Sequence, residues 1–311
     1  MRIARLLAAV RIAAALSCLL PASLAAAQDA ATAKDDARAP IVVTGTRDGE
    51  QKSIRKQTRS VAVAVEGQVA RFAGTICADS IGLPPDLNKI VADRIAADAI
   101  AAGIPVGKPG CQANVIVAMV PDGRAALRVL IRNQPQLFIG FDRETLKKLL
   151  ADTGPAHVMT LTTLRSRDGK SLSIALPGMP NGFKGDAPFL QVDNASILGP
   201  PTRQVIGGAL VLLDQPALTG KTLRQIADYA AMRTLAMTRE PPATPAGETI
   251  LTLFGGGPAP SEITGFDLSY LKSLYRGPPT RSYSSAVGEM ARDIGKRRRD
   301  DDQAGDDKPA K

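Results

Sequence analysis

Apolar residues recur at Leu223, Ile226, Ala227, Ala230, Ala231, Leu235 and Met237, close to a 3.6-residue period, and Thr222 stands ahead of them as an N-cap. The pattern predicts a core helix bounded by Pro241-Pro242, which cannot continue it. The same period runs through Leu87, Ile90, Val91, Ile95 and Ala99, so a second helix is expected over residues 86–102, with Gly103 at its C′ position. Further helices are expected over 124–132, over 142–150 behind the cap Asp142, and over 284–296. Thr264 with Asp267 three residues on is a capping-box signature, opening an amphipathic helix through Phe266, Leu271, Leu274 and Tyr275.

Strands show as different patterns. Residues 114–120 form a continuous apolar run, the mark of a strand buried on both faces. Residues 205–213 read likewise, and Gly207-Gly208 inside them predicts a bulge or a close backbone approach. His157 to Leu164 alternates, and Arg167-Asp168-Gly169 is a turn signal before a second run at 171–176, so a hairpin is expected there. Residues 177–188 are dense in Pro and Gly and read as an irregular loop, and Gly255 to Gly257 as a turn. Strands interleaved with helices in this order predict an α/β (α+β) fold, a layered mixed sheet with packed helices. The expected organisation is a leader at 1–27, a disordered leader and linker at 28–60, one globular domain at 61–295 and a charged disordered tail at 296–311. The stretch 48–59 fits either a linker or an exposed helix.

Arg2, Arg5 and Arg11 around the apolar run Ile12 to Leu24, followed by Ala25-Ala26-Ala27, have the order of a secretory signal peptide. A periplasmic or secreted protein is therefore expected, with no span in the mature chain. Cys18 lies in that leader, which leaves Cys77 and Cys111 as an even pair in an oxidising compartment and predicts a disulfide. Closing a loop of about 35 residues stabilises a fold by roughly 3–4 kcal/mol. The net charge is +9, or +6 without the leader's arginines, and the chain has no Trp. Basicity this mild and spread out, with few aromatics, does not argue for nucleic acid.

Ile41 to Arg47 reads IVVTGTR and resembles the TonB box of outer-membrane TonB-dependent receptors. The chain is too short for a plug and a 22-stranded barrel, so the resemblance implies at most a strand given to a TonB-type partner. The alternative is an ordinary first strand. Two segments resemble the zincin metallopeptidases, in particular the matrixin branch of the metzincins. Ile226 to Met237 fits the helix V-A-x-H-E-x-x-H-x-L-G-L in its packing positions Ile226, Ala227, Leu235 and Met237. Tyr229 and Arg233 stand where the two zinc histidines would be, and Ala230 stands at the general base. Arginine stays protonated and alanine moves no proton, so the resemblance implies a zincin-like layout without the metal or the catalysis. Residues 262–275 are similar to the closing helix of matrixins, L-T-x-x-D-x-x-x-L-x-x-L-Y-G, again in capping and packing positions. The chain as a whole also resembles a family of exported alphaproteobacterial proteins.

Catalytic triads need a histidine, and His157 is the only one, on a strand and without a G-x-S-x-G elbow to serve. Nucleotide-binding spacings are absent. Asp79, Asp86, Asp214 and Asp228 are the acids that could face a cleft, yet no spacing brings two of them together. The sequence thus leads to a catalytically empty binding protein without cofactor. Tyr229, Arg233 and Asp228 are its candidate binding residues, and a protein or a small anionic ligand its partner. A hydrolase using acids that the sequence does not reveal, and an accessory of TonB-dependent uptake, are the alternatives. A structural reading of the same three residues pairs Arg233 with an acid and packs Tyr229 in the core.

Overall fold

A computed structural model describes residues 46–174, 188–190, 200–242 and 247–306. The leader, the TonB-box-like residues 41–45, most of the loop at 177–188 and the last five residues lie outside them. The architecture is α/β, with helices on both faces of a mostly parallel mixed sheet. Its central strand is β7 (Thr202–Asp214), for which β1 (Arg71–Phe72), β2 (Ala78–Ile81), β3 (Val115–Val120) and β4 (Ala156–Ser166) supply the rest. Along one side of β7, β1 pairs at Val205 and Ile206 and β3 pairs from Ala209 to Asp214, both parallel, so the two lie end to end. Strand β2 adds to β3, also parallel. On the other side β4 runs antiparallel over almost the whole of β7.

One face of the sheet is covered by α2 (Pro85–Ala101) and α5 (Leu223–Thr234), with α6 (Gly265–Arg276), α7 (Tyr283–Asp306) and α1 (Thr46–Val61) behind them. Val115, Val117, Val211 and Leu213 point into that core with Val91, Ile95 and the α5 residues. The other face meets α3 (Gly123–Asn133) and α4 (Arg143–Ala151) in a smaller cluster around Leu127, Phe138, Met159 and Leu212. Burial on both faces is why β3 and β7 read as continuous apolar runs.

Local signals placed the caps correctly. Thr222 and Gln225 form a capping box on α5, Thr264 and Asp267 one on α6, and Asp142 caps α4. Gly103 follows α2 with φ at +80°, the left-handed conformation that glycine tolerates. Cys77 and Cys111 form the expected disulfide, which ties the start of β2 to the segment before β3.

Four expectations need correction. Residues 46–60 are not a disordered linker: α1 buries Ile54, Gln57 and Thr58 and packs on α7. The charged run from Lys296 is not disordered from its start, because α7 carries it helically as far as Asp306. The hairpin at 157–176 gives way to pairing of β4 with β7, and its return is one bridge, Arg165 to Ser171. Ser173–Ile174 (β5) pairs instead with Pro188–Phe189 (β6). Helix α5 ends at Thr234, earlier than its period suggests, since Ala236 and Thr238 bridge Arg71 and Ala62. Inter-strand hydrogen bonds there outweigh helix propensity.

Candidate functional site

The three predicted residues lie on α5 but face two different surroundings. Tyr229 is fully buried, with its ring edge-on to Phe254 at 4.9 Å between centroids. Its hydroxyl donates to Glu240 Oε1 at 2.7 Å, and Arg233 Nη1 donates to the same hydroxyl at 3.4 Å. The Arg233 guanidinium lies over the Tyr229 ring, 5.7 Å from its centroid. Tyr229 and Arg233 are thus brought together, four residues apart on one helix face. Burial holds the Tyr229 hydroxyl above its ordinary pKa, so it acts as a donor and not as an anion.

Asp228 points the other way, toward α2. It is fully buried and accepts from Arg94 Nε at 2.6 Å, Arg94 Nη2 at 3.1 Å and the Ile263 amide at 2.5 Å. Arg94 Nη2 also lies 3.4 Å from Asp98 Oδ1 and 3.8 Å from Glu262 Oε2. Two buried carboxyls, Asp98 and Asp228, therefore share one guanidinium. The Asp98 carboxyl is pushed up to about 8, first by burial and next by the Asp228 charge. Its Oδ2 has no hydrogen-bond partner as an anion, whereas a proton there supplies a donor. The spacing of Arg94 and Asp98, four residues apart, suggests a pair on the outer side of α2; Asp98 is instead buried, because Asp228, far along the chain, stands beside it. Among the other acids weighed, Asp214 Oδ1 accepts from the Gly123 amide at 2.6 Å, at the N-terminus of α3, and His157 packs beside that glycine, buried.

A second group of charges surrounds the start of β1. Arg71 Nη1 donates to the carbonyls of Leu274, Tyr275 and Gly277 at the end of α6 (2.5–2.8 Å). This satisfies carbonyls that a helix end leaves open. Tyr275 is locked beneath, its hydroxyl donating to Leu235 O at 2.5 Å and accepting from the Phe72 amide at 3.2 Å. Burial and then the neighbouring guanidiniums of Arg281 and Arg203 pull Arg71 below its ordinary pKa, while Tyr275 acts the other way. A pocket of about 180 Å³ opens here, lined by Arg71, Arg203, Gln204 and Tyr275 with Gly74 and Gly103. Arg203 Nε is buried without a hydrogen-bond partner among the described residues. Among the described residues no acidic side chain lines the pocket.

The ends of α2 and α6 both lie at this pocket, and each carries about half a negative charge. Two guanidiniums carry twice as much of the opposite sign, so the pocket is net positive. Arg203 lies near the exposed Asp168, and Glu66 accepts from Gln204 Nε2 at 2.8 Å beside the lining, which reduces the excess without removing it. Sequence reading missed Arg71 and Arg203 because arginines in a β-prone run carry no motif.

Among the described residues no group of His, Cys, Asp or Glu could hold a metal ion, and no helix is long and apolar enough to cross a membrane. In comparison with known proteins the chain matches no family model, no curated protein and no solved structure.

Proposed function

We propose that this chain is an exported, non-catalytic binding protein for a small anion. The degenerate zincin frame of α5 serves as scaffold, and the pocket between Arg71 and Arg203 is the binding site. The supporting observation is two guanidiniums on one small pocket that no carboxylate among the described residues lines. Like charges held together in a partly buried place are costly unless something of opposite charge joins them. A carboxylate or phosphate oxygen does so with charge-assisted hydrogen bonds, and guanidinium geometry suits both. A volume of about 180 Å³ admits an anion of a few non-hydrogen atoms, smaller than a drug-sized ligand. Arg71 is already fixed by α6 and Arg203 is the freer of the two, so Arg71 orients and Arg203 closes on the ligand. The Arg233 and Tyr229 pair fits an anion less well, because Glu240 already occupies the hydroxyl.

Calorimetric titration with inorganic phosphate, sulfate and citrate tests the reading. Binding of at least one of them is expected, weakened at least tenfold by Arg203→Gln, the loss of one charge-assisted bond being about 1.5–3 kcal/mol. Absence of heat for all three, or an affinity that Arg203→Gln leaves unchanged, overturns it.

A further inference from the structure

The basic residues, scattered in sequence, converge in the fold. Helices α1 and α7 pack antiparallel. Glu50 meets Arg298 at 3.7 Å near one end, and the Tyr283 hydroxyl lies 3.4 Å from Ala62 O near the other. Between these ends Gly295 lets the helices close: a Cβ there would sit 2.5 Å from Gln51 Oε1 and 3.4 Å from Ile54 Cδ1.

Opposite the buried stripe Ile54, Gln57, Thr58 and Val61, α1 exposes Lys52, Arg55, Lys56 and Arg59 at helical spacing. Opposite its own stripe of Val287, Met290, Ala291 and Ile294, α7 exposes Arg292, Lys296 and Arg299. The acids within the packed span are already engaged: Glu50 with Arg298, Glu289 with Arg281 and Asp293 with Arg276. None of the seven outward cations has an ion-pair partner among the described residues, and two exposed acids, Asp48 at the start of α1 and Asp300 on α7, stand at one end of the face.

We infer that the outward face of the α1–α7 pair is a docking surface for an anionic phospholipid headgroup layer. Charge complementarity carries the choice of partner. Among the described residues the large exposed apolar side chains, Ile81, Ile90, Ile100, Val129, Ile139 and Leu172, all lie away from α1 and α7. A protein interface is expected to bury an apolar or aromatic anchor at its centre, and this face has none. Single-stranded nucleic acid is expected to stack on aromatics, and none is exposed among these cations. A fluid layer of headgroups needs neither anchor nor register, and each Lys or Arg near it adds to the attraction. No part of α1 or α7 inserts, so the attraction is electrostatic and is screened by salt.

Co-sedimentation of the purified protein with vesicles decides the matter. Binding is expected to phosphatidylcholine vesicles containing phosphatidylglycerol, to be lost in pure phosphatidylcholine, and to be lost again in high salt. The variant Lys52→Gln/Arg55→Gln/Lys56→Gln/Arg59→Gln is expected to bind at least tenfold more weakly. The control Arg128→Gln/Arg132→Gln/Arg143→Gln/Lys147→Gln, with the same change of net charge on α3 and α4, is expected to bind as the parent does. Should the α1 variant not fold, as its circular dichroism would show, Arg292→Gln/Lys296→Gln/Arg299→Gln reports on the same face. Equal losses in variant and control mean that bulk charge acts and overturn the inference. So does the absence of binding to anionic vesicles, with or without binding of a DNA duplex.

Discussion

Arg94 on α2 holds Asp228 on α5 with both nitrogens of one guanidinium edge, Nε at 2.6 Å and Nη2 at 3.1 Å. This is the polar joint between the two helices that cover one face of the sheet. Asp228 is fully buried and the Arg94 side chain is 27% exposed, so water reaches only one partner. Removing the arginine leaves a buried carboxylate with the Ile263 amide and the Asp98 proton as its donors and no cation. Arg94→Ala is expected to lower unfolding free energy by about 3 kcal/mol, the lower part of the range for breaking a buried pair. Urea unfolding followed by circular dichroism measures it. Arg94→Met/Asp228→Leu is expected to recover much of the loss, since it removes both charges. A midpoint that Arg94→Ala leaves in place would refute this role for the joint.

Asp98 makes stability depend on pH. Its carboxyl has a pKa of about 8 in the folded protein, against 3.8 for the ordinary group. Between these values the folded state binds more protons than the unfolded one, so stability falls as pH rises. The full contribution is present below about pH 4 and is gone above about pH 8. Asp98→Asn keeps a neutral donor beside Asp228 and removes the titration. It is expected to match the parent near pH 5 and to melt several degrees higher near pH 9, a shift that corresponds to about 1–2 kcal/mol. Melting curves across this range check it, and parallel curves for parent and variant at all pH values would sink the assignment.

What the sequence reveals here divides by distance along the chain. The capping boxes at Thr222 and Thr264, the cap at Asp142 and the αL glycine at 103 depend on a few neighbouring residues, and all were legible. The layered α/β arrangement was legible too, since β3 and β7 must be apolar on both faces. What failed depended on partners far away. The period of α5 runs on to Met237, yet the helix stops at Thr234 because distant backbone at Ala62 and Arg71 offers bridges. The alternation of β4 was read correctly, and its partner was not, because β7 lies some forty residues on and a turn signal lies next to β4. Asp98 and Arg71 fell to the same limit: each is one charge on an ordinary element until Asp228 or Arg203 stands beside it.

Glycines show the same limit in reverse, because the pattern cannot tell which of them the fold requires. Gly82 follows β2 with φ at +96°, and a Cβ there would lie 2.0 Å from the carbonyl oxygen of Met119 in β3. Backbone cannot yield as a flexible side chain does, so Gly82→Ala is expected to cost about 3 kcal/mol or more. Gly208 looks the more constrained of the two, since it sits in the middle of the longest strand beside a bulge: Gly207 has no partner in β4, where the register shifts between Leu161 and Thr162. Yet its φ is not in the left-handed region, and a Cβ there would meet only Asn114 O at 3.5 Å and Leu161 Cδ1 at 3.8 Å. It borders an open depression of about 460 Å³ on the α3 face of the sheet, between Ile116, Met159, Leu161 and Leu210. Gly208→Ala is therefore expected to be neutral or to stabilise by about 0.5–1 kcal/mol, because alanine has less freedom to lose on folding. Unfolding midpoints of the two variants, measured side by side, should move in opposite directions or leave Gly208→Ala unmoved. A loss at Gly208 as large as that at Gly82 would mean that this strand needs its glycine for a reason other than backbone conformation or local space.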